Sequence, residues 1–453
     1  MAEQGCPERK ITVRSALKDG SIAVKLSAVI WGLGCLTRKQ IVKGLMFLAI
    51  EAAIILYMIE SGFYNLGKLI TLGDMEQQKI WNEARNIFEY VDGDRSLVIL
   101  LYGIITLAII LCAVLMVRIS LRSAYAAELE FRQNGRAISL REEARGLLDG
   151  NLHKTLLLLP IAGILMFTIL PLLFMTSMAF TNYSVLNDKL VLFDWVGIDN
   201  FKRMLNMGGD LGRTFWPVLG WTFSWAVIAT FTNYFAGLIL TLFINWKEIR
   251  GKKFWRFCFV LTVAVPHFVT LLIIRQMLQP TGAVNVLLQN MGLINAPLPF
   301  FTDTTWARAS VVLINIWVGV PYALLQMTGI LQNIPPELYE AARVDGANPV
   351  VMFFKITLPY VLFVTTPYLI TTFTGNINNF NVIFLTSAGL PRAVESTAGS
   401  TDLLITWLYK LTIDNRYYDV GAVIGILTFV SLSAVSLLTF RFSKSYKDEE
   451  GFR

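Results

Sequence analysis

Charge is scarce in this chain. Charged residues make up 16% of its 453 residues, against about 25% in an ordinary soluble domain. Hydrophobic residues reach 55%, with a mean hydropathy of +0.56. A soluble globular or disordered protein is excluded, and several apolar runs near the ~20 residues needed to cross a bilayer predict an all-α polytopic membrane protein. Histidine is scarcer still: His153 and His267 are the only two, too few for a metal site without many carboxylate helpers. The four cysteines, Cys6, Cys35, Cys112 and Cys258, lack metal-ligand spacing, and Cys112 and Cys258 fall in apolar runs, so no disulfide framework is expected. There is no Walker-type glycine-rich loop, no HExxH, no nucleophile elbow and no carboxylate pair inside a span. No catalytic residue, resident cofactor or metal is expected. Residues 1–20 carry Glu3, Glu8, Arg9, Lys10, Arg14, Lys18 and Asp19 and no apolar core, so no cleavable signal peptide is expected.

What is present is a set of eight candidate spans, at roughly 41–59, 97–117, 155–179, 216–244, 255–277, 309–331, 354–373 and 420–440. The fourth is long enough to tilt or to extend past the membrane. The net charge of +7 reads as topology rather than nucleic-acid affinity. Basic loops at 118–154 (Arg118, Arg122, Arg132, Arg136, Arg141, Arg145, Lys154) and 245–254 (Lys247, Arg250, Lys252, Lys253), and a tail with Arg441, Lys444 and Lys447, alternate with acidic or balanced loops at 60–96, 181–215, 278–308 and 374–419. By the positive-inside rule both termini are cytoplasmic. Residues 1–40, with seven Lys or Arg against three acids, form a basic cytoplasmic segment in which Ala23–Leu36 reads as an interfacial helix rather than a span. Among the external loops, 60–96 reads as helical and solvated. The long 374–419 loop is open to two readings, a lid or docking surface and a solvated connector.

Ionisable groups inside spans are few, among them Glu51, Arg275 and Lys355. A proton- or sodium-driven carrier buries such groups midway across, and only Glu51 lies deep, where a packing role suits it. The chain reads as a conduit without its own engine. Two uncharged polar faces stand out. Asn315, Gly319 and Tyr322 recur at i, i+4 and i+7 in span six, beside Val318. Thr372, Gly375, Asn376 and Asn379 recur at i, i+3, i+4 and i+7 at the end of span seven. Amides that both donate and accept, glycines that make room and aromatic rings suit a neutral polyhydroxylated ligand. The same residue types also join helices in bilayers, and spacing alone leaves both readings open.

Between spans six and seven lies Pro335-Pro336-Glu337-Leu338-Tyr339-Glu340-Ala341-Ala342-Arg343-Val344-Asp345-Gly346. Prolines open it, helix formers follow and glycine ends it. It is a short, rigid cytoplasmic knob. Nine residues after Gly346 comes Ile356-Thr357-Leu358-Pro359, which completes E-A-A-x3-G-x9-I-x-L-P.

This pattern resembles the EAA loop of bacterial ABC-importer permeases, whose short helix docks in a groove of the ATP-binding subunit. With Phe193–Leu205 (FDWVGIDNFKRML) and the AGSTDLL segment at 398–404, the chain resembles the MalF-like sugar permeases of type I ABC importers over most of its length. The resemblance implies two extra N-terminal spans with a cytoplasmic linker (41–150), a six-helix permease core (151–440) with the coupling loop at 335–359, and a tail (441–453). It places the coupling role on Glu340, Ala341, Ala342 and Gly346, and sugar contacts on Asn315, Val318, Gly319, Tyr322, Thr372, Gly375, Asn376 and Asn379. Gly375 stands where an aromatic is expected, and Thr372 where a serine is, which points toward longer maltodextrins. The loop Thr181–Phe215 is short where the best-known enterobacterial relatives carry an external domain.

The implied partners are a second, MalG-like permease subunit, two MalK-like ATP-binding subunits holding ATP and magnesium, an external or lipid-anchored sugar-binding protein, a maltooligosaccharide and the lipid bilayer, with no nucleic acid. A permease for galacto- or raffinose-type oligosaccharides is the alternative within the family. A secondary sugar transporter is the alternative outside it, and it lacks a coupling site.

Overall fold

The computed structural model describes residues 11–82, 85–136, 142, 145, 149, 152–246, 248–393 and 396–442. Cys6, Arg141, Lys247, Lys444 and Lys447 lie outside them. The chain divides into two compact units, residues 1–197 and 198–453.

In the first unit, three short helices, α1 (Val13–Asp19), α2 (Ile22–Leu26) and α3 (Leu33–Thr37), precede the first span, α4 (Ile41–Lys68). A two-stranded ribbon, β1 (Gln78–Asn82) and β2 (Ile87–Val91), follows. Then come α5 (Ser96–Asn134) and the third span, α6 (Thr155–Met178). At 39 residues, α5 is nearly twice the length a bilayer needs, and its far end forms a post for the N-terminal segment. Ala16, Val24 and Cys35 bury against Ala124 and Tyr125. Buried Glu128 accepts from the Ser21 amide (3.1 Å) and hydroxyl (2.5 Å), and pairs with Arg132 and with Arg38 at 3.7 Å. The expected single helix over Ala23–Leu36 is therefore two helices. The chain reverses at Gly32, whose φ of +79° suits glycine, and the Gly32 amide donates to Ser120 Oγ at 3.0 Å. Glu51 accepts the Trp31 amide at 2.7 Å, the helix-contact role anticipated for it.

The 60–96 loop departs from its helical expectation. The helix runs on to Lys68, and the chain then forms the antiparallel ribbon in the register Lys79–Tyr90 and Trp81–Phe88. Alternation puts Lys79, Trp81, Phe88 and Tyr90 on one face, where Trp81 and Phe88 meet edge to face at 4.8 Å. Asp94 ties down its base. The carboxylate accepts from Tyr64 Oη (3.0 Å), Lys68 Nζ (2.9 Å) and the amides of Asp74 (2.9 Å) and Met75 (3.1 Å).

The second unit contains α7 (Asp199–Leu205), α8 (Asp210–Asn245), α9 (Lys252–Ala264), α10 (His267–Met277), α11 (Ala283–Asn290), α12 (Thr304–Gln332), α13 (Pro336–Val344), α14 (Leu358–Ile377), α15 (Phe380–Thr386), α16 (Leu404–Tyr409) and α17 (Tyr418–Phe442). A short helix (Pro349–Met352) and a wider π turn (Phe353–Thr357) lead into α14. Helix α8 packs most heavily on α12 and then on α14. One end of this seam buries Trp221, Trp225, Leu271, Val311, Ile314, Val382 and Leu403. The other buries Tyr234, Leu238, Met327, Ile334 and Val361.

The expected span five is not one rod. Helices α9 and α10 meet at 89° across Val265-Pro266, because proline removes a helical N–H and forces its predecessor out of the helical region. With this bent pair counted as one, the helices long and apolar enough to span a membrane number eight among the described residues.

The 374–419 segment is not a solvated connector. Thr386, Ser387, Thr401, Asp402, Leu403 and Leu404 are all buried. Asp402 pairs with Lys410 at 2.6 Å and accepts from the Gly399 amide (2.7 Å) and the Thr406 hydroxyl (2.9 Å).

Candidate transport path and coupling helix

Helix α8 is the spine on which the two polar faces meet. Its hydroxyl and small residues let its neighbours approach closely, the usual way to hold helices together where no water drives them. A β-carbon on Gly237 would collide with the Ala323 side chain of α12, and one on Gly319 would collide with the Asn233 amide of α8. From α14, Asn376 donates through Nδ2 to Thr230 Oγ1 at 3.0 Å, and its carbonyl accepts from Trp225 Nε1 at 3.1 Å. Lower down, Tyr234 Oη and Thr365 Oγ1 are 2.7 Å apart.

The eight expected sugar-facing residues divide into groups. Val318 and Tyr322 line one cavity of about 220 Å³ with Trp317 and with Thr262, Val263, Val265, His267 and Thr270 from the broken span. Tyr322 is half exposed there. Asn376 is buried and engaged in holding α14 to α8. Asn379 reaches Asn376 Oδ1 at 3.4 Å while its own Oδ1 accepts the Val382 amide at 3.3 Å and caps α15. Gly319 provides the close approach to Asn233. Asn315 is buried. Thr372 is half-buried and Gly375 exposed on α14; nothing lies within 4 Å of where a Gly375 β-carbon would sit. Neither lines the Tyr322 cavity.

Two buried amide atoms, Asn315 Nδ2 and Asn233 Oδ1, have no hydrogen-bond partner among the described residues. Buried polar atoms are nearly always satisfied, by protein, water or ligand, so this part of α8 and α12 has hydrogen-bonding capacity to offer. Thr230, Asn233 and the His267 side of the cavity were not identified from the sequence. The available signals are Pro266 inside an apolar run and, on α8, Thr222, Ala226, Thr230, Asn233, Gly237 and Thr241 at helical spacing on one face.

At the other end of α12, α13 has no buried residue. Glu340 and Ala341 are exposed and Ala342 half-buried. The knob is seated through Tyr339, whose hydroxyl lies 2.8 Å from Thr357 Oγ1 and whose ring packs on the Tyr234–Val361 cluster. Its end is a Schellman turn. The Gly346 amide donates to Arg343 O (3.0 Å) and the Ala347 amide to Ala342 O (2.9 Å), with Gly346 at φ +78°. Asn348 then caps the next helix by accepting the Val351 amide at 2.9 Å. Among the described residues no group of three or more histidines, cysteines and acids could hold a metal.

Residues 233–444 match the family described as the binding-protein-dependent transport system inner membrane component. The chain is similar to the galactooligosaccharides transport system permease protein GanP of Bacillus subtilis (strain 168), at 35% identity over 438 residues, covering 96% of this chain and 100% of that one. It is also similar to the maltodextrin transport system permease protein MdxF of the same organism, at 34% over 436 residues, covering 94% and 96%. A bacterial alginate ABC transporter solved with an alginate pentasaccharide-bound periplasmic protein shares the fold, at a TM-score of 0.55 and 23% identity, covering 66% of this chain and 96% of that one.

Proposed function

Since this chain belongs to the binding-protein-dependent transport system inner membrane components, as a multi-pass sugar permease of ABC importers, we propose that it forms one half of a path for maltodextrin-type oligosaccharides and couples that path to a separate ATPase. The observation that carries the reading is α13: a helix with no buried residue, anchored at one tyrosine and stopped by a Schellman turn, in direct sequence with the polar helices α12 and α14.

In this reading both termini and α13 are cytoplasmic. A sugar-loaded binding protein delivers its cargo externally, and this chain and a second permease subunit enclose it. Two ATP-binding subunits, which hold ATP and magnesium, grip α13 and its counterpart. Glu340 offers the groove of the ATPase a charged hydrogen bond, Ala341 and Ala342 keep the helix slim, and Gly346 fixes the angle at which it returns to the membrane. The Asn315–Val318–Gly319–Tyr322 face, with His267 and Thr262 across the cavity, receives the sugar. Thr372, Gly375, Asn376 and Asn379 meet the sugar at a separate stretch of the path, where Asn376 sets the position of α14. Uncharged amides and hydroxyls suit a neutral glucan.

The test is the ATPase rate of the reconstituted complex with binding protein loaded with different sugars. Stimulation by maltotriose and longer maltodextrins is expected. Stimulation by galactooligosaccharides alone would move the substrate to that class, and no stimulation by any loaded binding protein would remove the reading.

A further inference from the structure

A second cavity, of about 470 Å³, opens at the opposite end of α12 from the coupling helix. The 29 residues of α12 put roughly 43 Å between the two ends. In the proposed orientation the cavity faces outward. Three arginines line it: Arg213 from the first turn of α8, Arg308 from the second turn of α12, and Arg392 from the loop after α15.

Two acids share the lining, and both are already engaged. Asp303 accepts the amides of Thr305 (2.9 Å) and Trp306 (3.0 Å) and caps α12. Asp402 is held by Lys410, Thr406 and the Gly399 amide. No carboxylate among the described residues pairs with any of the three arginines. Two are nevertheless held in place. Arg308 lies over the Trp221 ring, 4.3 Å from its centre, and donates through Nε to Ser400 O at 3.0 Å. Arg392 donates through Nε to Ser396 O at 2.7 Å. In both, the two terminal guanidinium nitrogens have no partner among the described residues and present the fork that fits a carboxylate. The Ser400 hydroxyl, on the lining, is a buried atom without a partner among the described residues.

We propose that this cavity is the docking socket for an acidic surface loop of the sugar-binding protein, with Arg392 and Arg213 receiving carboxylates at the rim and Arg308 deeper, on Trp221. The inference rests on the proposed function and assigns the partner a place on this chain. A protein loop is the occupant that fits best. The socket lies at the mouth, built from Pro391–Ala393, Ala398–Ser400 and two helix starts, whereas the sugar-facing positions along α12 and α14 are uncharged.

The complete importer, reconstituted in nanodiscs, is titrated with its maltodextrin-loaded binding protein at low and at physiological salt. Arg213→Glu with Arg392→Glu is expected to weaken binding about tenfold or more and to flatten its salt dependence, as expected when charged pairs steer docking. Arg213→Lys with Arg392→Lys should retain much of the affinity. The milder Arg392→Gln single variant, read in complexes with normal subunit stoichiometry, covers the case in which the double reversal does not assemble. Unchanged affinity and salt slope in assembled variants, while the wild type still responds to binding protein, would overturn the socket alone. A wild type that never responds would overturn the functional reading instead. Arginine-dependent binding of an acidic oligosaccharide without binding protein would overturn the protein as occupant.

Discussion

Asn376 and Thr230 are joined by a 3.0 Å hydrogen bond between α14 and α8, and the Asn376 carbonyl takes the Trp225 indole at 3.1 Å. A residue expected to face sugar thus also fixes the helix that carries Thr372 and Gly375. Side-chain hydrogen bonds within bilayers average about 0.6 kcal/mol, so the bond is minor for stability. Its larger role is positional, since a displacement of about 1 Å in a binding site is costly. Thr230→Val is therefore expected to leave the thermal unfolding of the purified complex within a few degrees of wild type while raising the sugar concentration for half-maximal transport several-fold. A large loss of stability with unchanged transport affinity would assign Asn376 to helix contact alone.

Gly346 ends α13 at φ +78°, a conformation that costs a residue with a β-carbon about 1–2 kcal/mol. Glu340 is exposed and has no partner to lose among the described residues. Glu340→Lys is thus expected to insert and fold normally yet lose sugar uptake, with ATPase activity no longer responding to loaded binding protein. Gly346→Val, which strains the turn as well, should do the same and lower the melting temperature. Normal uptake by both variants, measured with radiolabelled sugar in vesicles, would remove α13 from coupling.

Much of this architecture is legible in sequence, for reasons particular elements show. Seven spans are single apolar helices, and hydropathy reports those directly. The knob at Pro336–Val344 is written in local signals, with proline at its start and glycine at its end, and the structure realises both. Elsewhere local signals run out. Pro266 announces a kink, but residues on both sides are apolar, and nothing local states that the bend reaches 89°. The 78–91 ribbon mixes Lys79, Glu89 and Gln78 with aromatics, so its period of two reads as plain polarity. The 398–404 segment is buried because Lys410 neutralises Asp402 at 2.6 Å, a pairing invisible until the chain folds back. Helical spacing put Asn376 and Tyr322 on polar faces, but only the fold separates a residue that braces a helix from one that lines a cavity.

Asp94 holds the base of the 78–91 ribbon. Hydrogen bonds from Lys68, from the Met75 and Asp74 amides and from Tyr64 outweigh its burial and hold its carboxyl well below the ordinary range. Because the folded value is depressed, the contribution to stability is complete above the unfolded value of about 3.9 and is lost only as pH falls through the lower folded one. Hydrogen exchange in residues 78–91, corrected for intrinsic rates, should therefore show constant protection between about pH 5 and 8. Asp94→Asn should lower that protection throughout the range. A midpoint for the wild type within that window would mean that another group controls the ribbon.

Gly375 is exposed on α14, and nothing lies within 4 Å of where its β-carbon would stand. An aromatic introduced there has room for its β-carbon and stands about one turn along α14 from Thr372. It takes up space and adds a stacking surface at once. If the open position is what admits long chains, Gly375→Phe should shift competition toward maltose and away from maltotetraose while leaving assembly and basal ATPase activity intact. Extra volume rejects the longer chain by steric overlap, whereas the gain from stacking is bounded at about 0.5–1.5 kcal/mol, or roughly a factor of two to ten for the short sugar. The decisive measurement is the ratio of uptake from an equimolar mixture of the two sugars. A ratio unchanged from wild type would show that chain length is selected elsewhere, and a rise in both rates would show that Gly375 governs stacking rather than space.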